Sequence, residues 1–265
     1  MANLIGARVE RKEDKKFLTG KGRYTADINL VRQTHAYFVR SAHARAKITK
    51  IDTSKASKAP GVVKILTGED LAKDKIGGLI CGWKIVSQDG KDMKCPPHPP
   101  LAKDVVNFVG DHVAVVIAET LEQAKNAAEL VSVSYKILKA VVGTANAMNS
   151  EAIHEGIDRN LCFDFLLGDK GKADDAFSKA DKVVKLDLVN NRLIPNAMEP
   201  RASIGDYNPS SEDLTLYTTN QNPHLTRLVL SAFCAIHPEQ YSVAVWSPIL
   251  NEKGNSAKFR VVKQK

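Results

Sequence analysis

The chain has 265 residues and a mass of 29.0 kDa, with 43% hydrophobic and 26% charged residues. That composition supplies apolar material for one or two packed cores and excludes wholesale disorder. No apolar run approaches the length of a bilayer span, and residues 1–19 are charged throughout, so neither a membrane protein nor an exported one is expected.

The formal charge is +8, but it sits at the two ends. Residues 1–23 carry seven basic and three acidic side chains, and residues 251–265 carry five and one. Everything between is neutral overall. Lys outnumbers Arg 27 to 11, and lysine suits a solvated surface better than bidentate phosphate recognition. No nucleic-acid motif with interleaved aromatics is present, so nucleic acid is not expected as a partner. The four cysteines, Cys81, Cys95, Cys162 and Cys234, stand far apart in sequence. Their spacing encodes neither a zinc site nor a Cys-x-x-C redox pair, and a reducing cytoplasm is the simplest compartment.

Taken in order, GKGRYTADI (20–28) reads as a glycine turn entering an extended segment. AYFVRSAHARAKITKID (36–52) is strand material around a turn of small residues. In 59–66 a Pro-Gly turn precedes a β-branched run, and TGEDL (67–71) opens a helical turn. Residues 72–104 form a long irregular passage with the extended run PPHPP at 96–100. Val113 to Ala118 is an apolar run of the kind covered on both faces of a sheet. Thr120 and Gln123 form a capping-box pair, and Leu121, Ala124, Ala128 and Val131 mark one helix face. Val131, Val133, Tyr135 and Ile137 then alternate with polar residues, completing a β-α-β segment.

Residues 140–170 are of mixed composition. DDAFSKA (174–180) predicts a short helix, and Val184, Leu186 and Leu188 predict a strand. A further strand follows NRLIPNAMEP, and DLTLYTTNQ (213–221) alternates again. Asn222 and Pro223 suit the N-cap and first position of a helix that Pro238 ends. A last strand is expected at about Tyr241–Trp246.

No dinucleotide fingerprint, P-loop or nucleophile elbow is present. His35 and His43 could be imagined as a metal pair, but no third ligand is placed beside them, and surface or turn histidines are the simpler reading. His98 reads as a loop residue. Two places have better geometry. Gln221 ends a strand just before a helix start, where free N–H groups converge and can meet an oxo or phosphate oxygen, although a loop glutamine can also simply face water. In Met198-Glu199-Pro200-Arg201, Glu199 is either a site residue or half of a structural ion pair or solvated turn.

The segments GKGRYTADI, RSAHARAKI, PGVVKILTGEDL and VNFVGDHVAVVIAETLEQAKNAAELVSVSY resemble, in this order, the α/β hammerhead domain of the xanthine dehydrogenase/aldehyde oxidase family. VVKLDLVNNRLIPNAMEPRASIGDY and LTLYTTNQNPH resemble the opening of its molybdenum-cofactor domain, in the style of aerobic carbon-monoxide dehydrogenase large subunits. The resemblance covers residues 15–248. It implies an α+β fold with a leader (1–14), a hammerhead domain (15–140), a linker (141–154) and a truncated cofactor domain (155–265).

It also implies an oxidoreductase that hydroxylates carbon with oxygen from water. The cofactor is molybdopterin or its cytosine dinucleotide, and electrons pass to iron–sulfur and FAD subunits beside the remainder of the large subunit. By position Gln221 matches the family's cofactor-binding glutamine, and Glu199 stands as a supporting residue. After Ser247-Pro248 the expected glycine-rich loop is not recognisable, with Gly254 the one glycine there, and the family's catalytic glutamate is not reached before Lys265. The expectation is therefore a chain that does not retain the cofactor by itself and is inactive alone. The alternative is a non-catalytic docking module built on the hammerhead domain.

Overall fold

The structure is a computed structural model that describes residues 5–191, 193–234, 241–245 and 257–259. It divides into two compact units, one formed by residues up to 80, 98–139 and from 198 onward, the other by residues 81–97 and 140–197.

The first unit is organised by strand pairing. β1 (His35–Arg40), β2 (Ala46–Asp52), β3 (Val62–Thr67), β4 (Val105–Val106), β5 (His112–Ala118) and β6 (Ser132–Ile137) make two three-stranded sheets, in the orders β1-β5-β3 and β4-β2-β6. β5 lies centrally and antiparallel to both neighbours, with Val115 opposite Phe38 on one side and Leu66 on the other. Val113, Ala114, Val115, Val116 and Ala118 are all buried, as an uninterrupted apolar run demands when both faces of a strand are covered. One core cluster joins Ala46, Ile48, Ala102, Val106 and Val113, and a second joins Ala56, Val116, Ala127, Ala128 and Val131.

α1 is a short turn at Asp14–Leu18, and α2 covers Gly68–Lys73. The start of α2 is closed by a reciprocal pair in which the Thr67 amide and hydroxyl both donate to Asp70. Gly68 passes close under the neighbouring loop, where a Cβ would lie 2.6 Å from the Ala102 carbonyl oxygen. The Pro60-Gly61 turn forms as expected, with Gly61 at φ +73° and its carbonyl accepting from the Glu119 amide at 2.9 Å.

α3 (Leu121–Glu129) has the expected cap: Thr120 Oγ1 accepts from the Gln123 amide at 3.2 Å, and Gln123 reaches back to the Thr120 amide at 3.0 Å. Its buried face is the expected one at Ala124, Ala128 and Val131, with Ala127 added, and departs from it only at Leu121, which is 44% exposed. Three alanines let the helix approach the sheet closely, and the first helical residue beside the cap points away. The order β5-α3-β6 is as read from the sequence, but its two strands belong to different sheets and each pairs antiparallel. The helix therefore turns a corner between sheets instead of making a parallel crossover.

Residues 20–28 do not extend into a strand. They close a 3₁₀ turn at Thr25–Asp27, where the Asp27 carboxylate accepts from the Tyr24 amide at 2.8 Å and Thr25 is fully buried. In the third sheet, β7 (Ser203–Asn208) and β8 (Asp213–Thr218) form a hairpin. α5 (Pro223–Cys234) then leads to β9 (Tyr241–Val245), parallel to β8, with β10 (Ala257–Phe259) outermost. Leu225 and Leu228 of α5 are exposed, so its apolar stripe is not covered by the described residues. Pro238, Trp246, Ser247, Pro248 and Gly254 lie outside the described residues.

The second unit holds a hairpin closed by the Val86–Asp92 bridge, with Ser87 donating to the Lys91 carbonyl and Met93 to the Ile85 carbonyl, both at 2.8 Å. Asn160, at φ +54°, ties residues 147–153 together: its side chain accepts from the Ile153 amide and donates to the carbonyls of Ala147 and Glu151. α4 spans Lys170–Ser178, starting before the expected 174 because Asp169 caps it, accepting from the Lys172 amide at 3.0 Å. The strand expected at Val184, Leu186 and Leu188 is absent among residues 181–191. Alternation alone cannot hold a strand whose N–H and C=O groups have no partner strand.

Val116→Ala should lower the stability of the full chain by about 2 kcal/mol through a core cavity, and Thr120→Ala by about 1 kcal/mol through the lost cap. Leu121→Ala should stay within about 0.5 kcal/mol, as a half-exposed site with no special contact does. Urea unfolding followed by circular dichroism measures all three.

Candidate functional site

The corner between β8 and α5 is built by short polar side chains. Thr218, the last residue of β8, is buried and its hydroxyl meets Ser203 Oγ at 2.8 Å across the hairpin. The Thr219 amide donates to the Ala202 carbonyl at 3.0 Å, extending the pairing by one rung. Asn220 then turns the chain. Its side-chain oxygen accepts from the Asn222 amide at 2.8 Å, and its nitrogen donates to Thr226 Oγ1. The first helical bond runs from the Thr226 amide to the Asn222 carbonyl at 3.0 Å. The helix begins at Pro223 as expected. Gln221 is left at the apex of this turn, with its side chain exposed.

Glu199 enters the same corner from the segment that leads into β7. Its carboxyl lies near the Thr219 side chain, and Thr219 stands two residues before Gln221 in the chain. Its Oε1 is buried and has no hydrogen-bond partner among the described residues. Burial raises the Glu199 pKa above the ordinary carboxylate value, and the nearby Thr219 hydroxyl opposes this only in part. Thr219 Oγ1 also lies 3.3 Å from Oγ1 of the buried Thr25. Among the described residues no ion pair joins Glu199 to Arg201, so of the readings open for this motif the ion pair is set aside. Proline at 200 separates the two side chains, and Glu199 turns inward while Arg201 stays exposed.

Of the residues singled out in the sequence, Glu199 lies near Thr219 and Gln221 stands exposed two residues further along the chain, and Thr219, which was not singled out, contacts the buried Thr25. Nothing local marks Thr25, which comes from the far end of the chain. The other candidates do not assemble. The His43 ring packs edge-on against Tyr135 at 4.9 Å, and His98 packs against Phe108 at 6.3 Å. Among the described residues no three His, Cys, Asp or Glu side chains are grouped as a metal site.

The corner's chemistry fits a polar, multidentate group. An exposed carboxamide offers both a donor and an acceptor. A buried carboxyl oxygen without a partner is a group that, in a finished site, is expected to find one. Strand, turn and helix start are the arrangement in which backbone N–H groups favour oxygen-rich ligands.

The mixed helices and three antiparallel-rich sheets define an α+β protein. A sequence profile for the aldehyde oxidase and xanthine dehydrogenase a/b hammerhead domain matches residues 19–139, and one for a molybdopterin cofactor-binding domain matches residues 153–247. The chain belongs to the xanthine dehydrogenase/aldehyde oxidase family of molybdenum hydroxylase large subunits. It is 35% identical to the nicotine 6-hydroxylase large subunit of Paenarthrobacter nicotinovorans over 87% of its own length. It is 33% identical to the carbon monoxide dehydrogenase large chain of Afipia carboxidovorans over 86%. Among solved structures, quinoline 2-oxidoreductase from Pseudomonas putida 86 superposes with a TM-score of 0.77 at 32% identity, over 91% of this chain. The chain spans 28% of the length of those two relatives and 30% of the quinoline enzyme's chain. No described helix is long and apolar enough to cross a membrane.

The raised pKa of Glu199 has a defined sign in stability. Folding favours its protonated form, so the associated stability is full below about 4.5, the ordinary value, and is lost as pH rises through the higher folded value. Glu199→Gln should therefore raise the melting temperature relative to the parent at pH 7, and the gain should shrink toward zero below pH 4.5. Scanning calorimetry from pH 4 to 8 tests this; a pH-independent difference would contradict it.

Proposed function

We propose that these residues form the hammerhead domain (15–140) and the first part of the cofactor domain (155–265) of a molybdenum-dependent hydroxylase large subunit, after a leader at 1–14 and joined by a linker at 141–154. The observation that carries the reading is the fixed strand-to-helix turn that presents Gln221, within the stretch matched by the molybdopterin cofactor-binding domain. The Gln221 carboxamide is the group positioned to hydrogen-bond the molybdenum cofactor, whether molybdopterin or its cytosine dinucleotide. When bound, that cofactor supplies oxidative hydroxylation of a carbon centre with oxygen from water.

The chain's own groups do the positioning. The Asn220–Thr226 and Asn220–Asn222 bonds fix the turn that presents Gln221. Thr219 stands beside the Glu199 carboxyl, whose pKa burial holds above the ordinary carboxylate value. Glu199 is thus a supporting residue.

An apolar stretch that precedes Glu199 in sequence supports the further reading that this chain alone does not retain the cofactor. Val184, Leu186, Leu188, Val189, Leu193 and Ile194 are 76–88% exposed, a run of apolar surface of the kind that further polypeptide covers. That polypeptide is the remainder of the large subunit, and electrons would pass to iron–sulfur and FAD subunits in the cytoplasm. The second reading, a non-catalytic docking module, is favoured by one observation, the hammerhead core closed by its own residues.

Purification of the 265-residue chain from cells that make the cofactor, followed by metal analysis, should give molybdenum well below one per chain. The same chain extended through the rest of a cofactor domain should hold molybdenum near stoichiometry, and Gln221→Ala in that extended chain should lower it. Stoichiometric molybdenum in the 265-residue chain would overturn the reading of an incomplete pocket. An extended chain that stays empty would favour the docking module.

A further inference from the structure

The 3₁₀ turn at Thr25–Asp27 is held shut from within and from above. The Asp27 carboxylate accepts from the Tyr24 amide at 2.8 Å, and the Ile28 amide donates to the Thr25 carbonyl at 3.2 Å. The Tyr24 ring stacks on Phe17 of α1 with centroids 6.1 Å apart. Gly22 passes so close to Phe17 that a Cβ there would lie 2.8 Å from its ring. Inside this turn Thr25 is fully buried. A hydroxyl taken out of water needs a partner, and a methyl in its place would not. The partner lies 194 positions further along the chain: Thr219 Oγ1 donates to Thr25 Oγ1 at 3.3 Å.

We propose that Thr25 is a positioning residue for the turn that presents Gln221, an assignment that rests on the reading of Gln221 as a cofactor-binding residue. Thr219 stands between Thr218, the last residue of β8, and Asn220, which turns the chain. Its amide is fixed to the Ala202 carbonyl at 3.0 Å, a single rung at a strand end, where backbone pairing opens most easily. The bond to Thr25 gives the same residue a second tether from outside the sheet. With Thr219 held at both backbone and side chain, Asn220 starts from a defined direction. Its side-chain oxygen then reaches the Asn222 amide at 2.8 Å, with Gln221 between them. Thr25 thus acts through Thr219 and Asn220.

A residue that merely fills the core depends on its volume, whereas a latch depends on its hydroxyl. Valine keeps the volume of threonine and lacks the hydroxyl; serine keeps the hydroxyl and lacks the methyl. The two substitutions should therefore separate the roles.

Amide exchange of the full chain, read on peptides covering residues 213–226 and 112–118, is the test. Thr25→Val should speed exchange across 219–222 by about fivefold, the size of one net hydrogen bond, and leave 112–118 unchanged. Thr25→Ser should keep the parent rate across 219–222. Thr219→Val cuts the same bond from the other side and should give the valine pattern, which also serves if Thr25→Val does not fold. Adding Thr25→Val to Thr219→Val should speed the corner no further, as expected of two partners in one bond. Unchanged exchange at the corner in Thr25→Val, equal acceleration of both peptides, or a serine variant that matches the valine one would overturn the assignment. These rates are read without cofactor, so they decide the latch independently of the metal analysis that decides the role of Gln221.

Discussion

A strand buried on both faces has no spare surface and no spare backbone group, and β5 imposes that condition on the first unit. Val113, Ala114, Val115 and Val116 leave no polar side chain to lend to solvent. A strand must therefore pair on each side, and layers must cover each face. β1 and β3 supply the pairing, and the alanine face of α3 supplies one of the layers. The tight turn at Gly61, the cap at Thr120 and the close approach at Gly68 then follow as the ways a short chain reaches those positions.

The second half of the sequence shows what happens where the same demand is not met. Val184, Leu186 and Leu188 have the alternation of a strand, yet no described strand lies beside them and they are exposed. The same contrast is visible at the corner. Its hydrogen bonds are satisfied by Asn220, Thr226 and Asn222 where they serve the turn, and left open at Glu199 Oε1 where a further group is expected. The chain spans 28–30% of the length of relatives whose names describe large subunits or an oxidoreductase.

What could be read in the sequence was whatever rests on neighbours in the chain. The β5 run, the Thr120 and Gln123 capping pair, the Pro60-Gly61 turn and the helix start at Pro223 all encode their structure within a few residues. What could not be read depends on distant partners. Leu121 fits the helical stripe whose other members, Ala124, Ala128 and Val131, are buried, but it lies at the helix's first position, beyond the close approach of the sheet. Thr25 gave no sign of meeting Thr219. Gln221 and Glu199 could be singled out as residues, but the placement of Thr219 beside Glu199 is a product of the β7–β8 hairpin.

The central claim is that the hammerhead core is complete within this chain while the apolar stretch after α4 waits for a partner. Amide hydrogen exchange of the full chain, resolved by peptide mass spectrometry, measures this directly. The account predicts strong protection across residues 112–118 and exchange at the rate of an unstructured peptide across 181–191. Equal protection of the two segments would mean that residues 181–191 are already paired and covered, and the account of an unfinished cofactor half would be wrong.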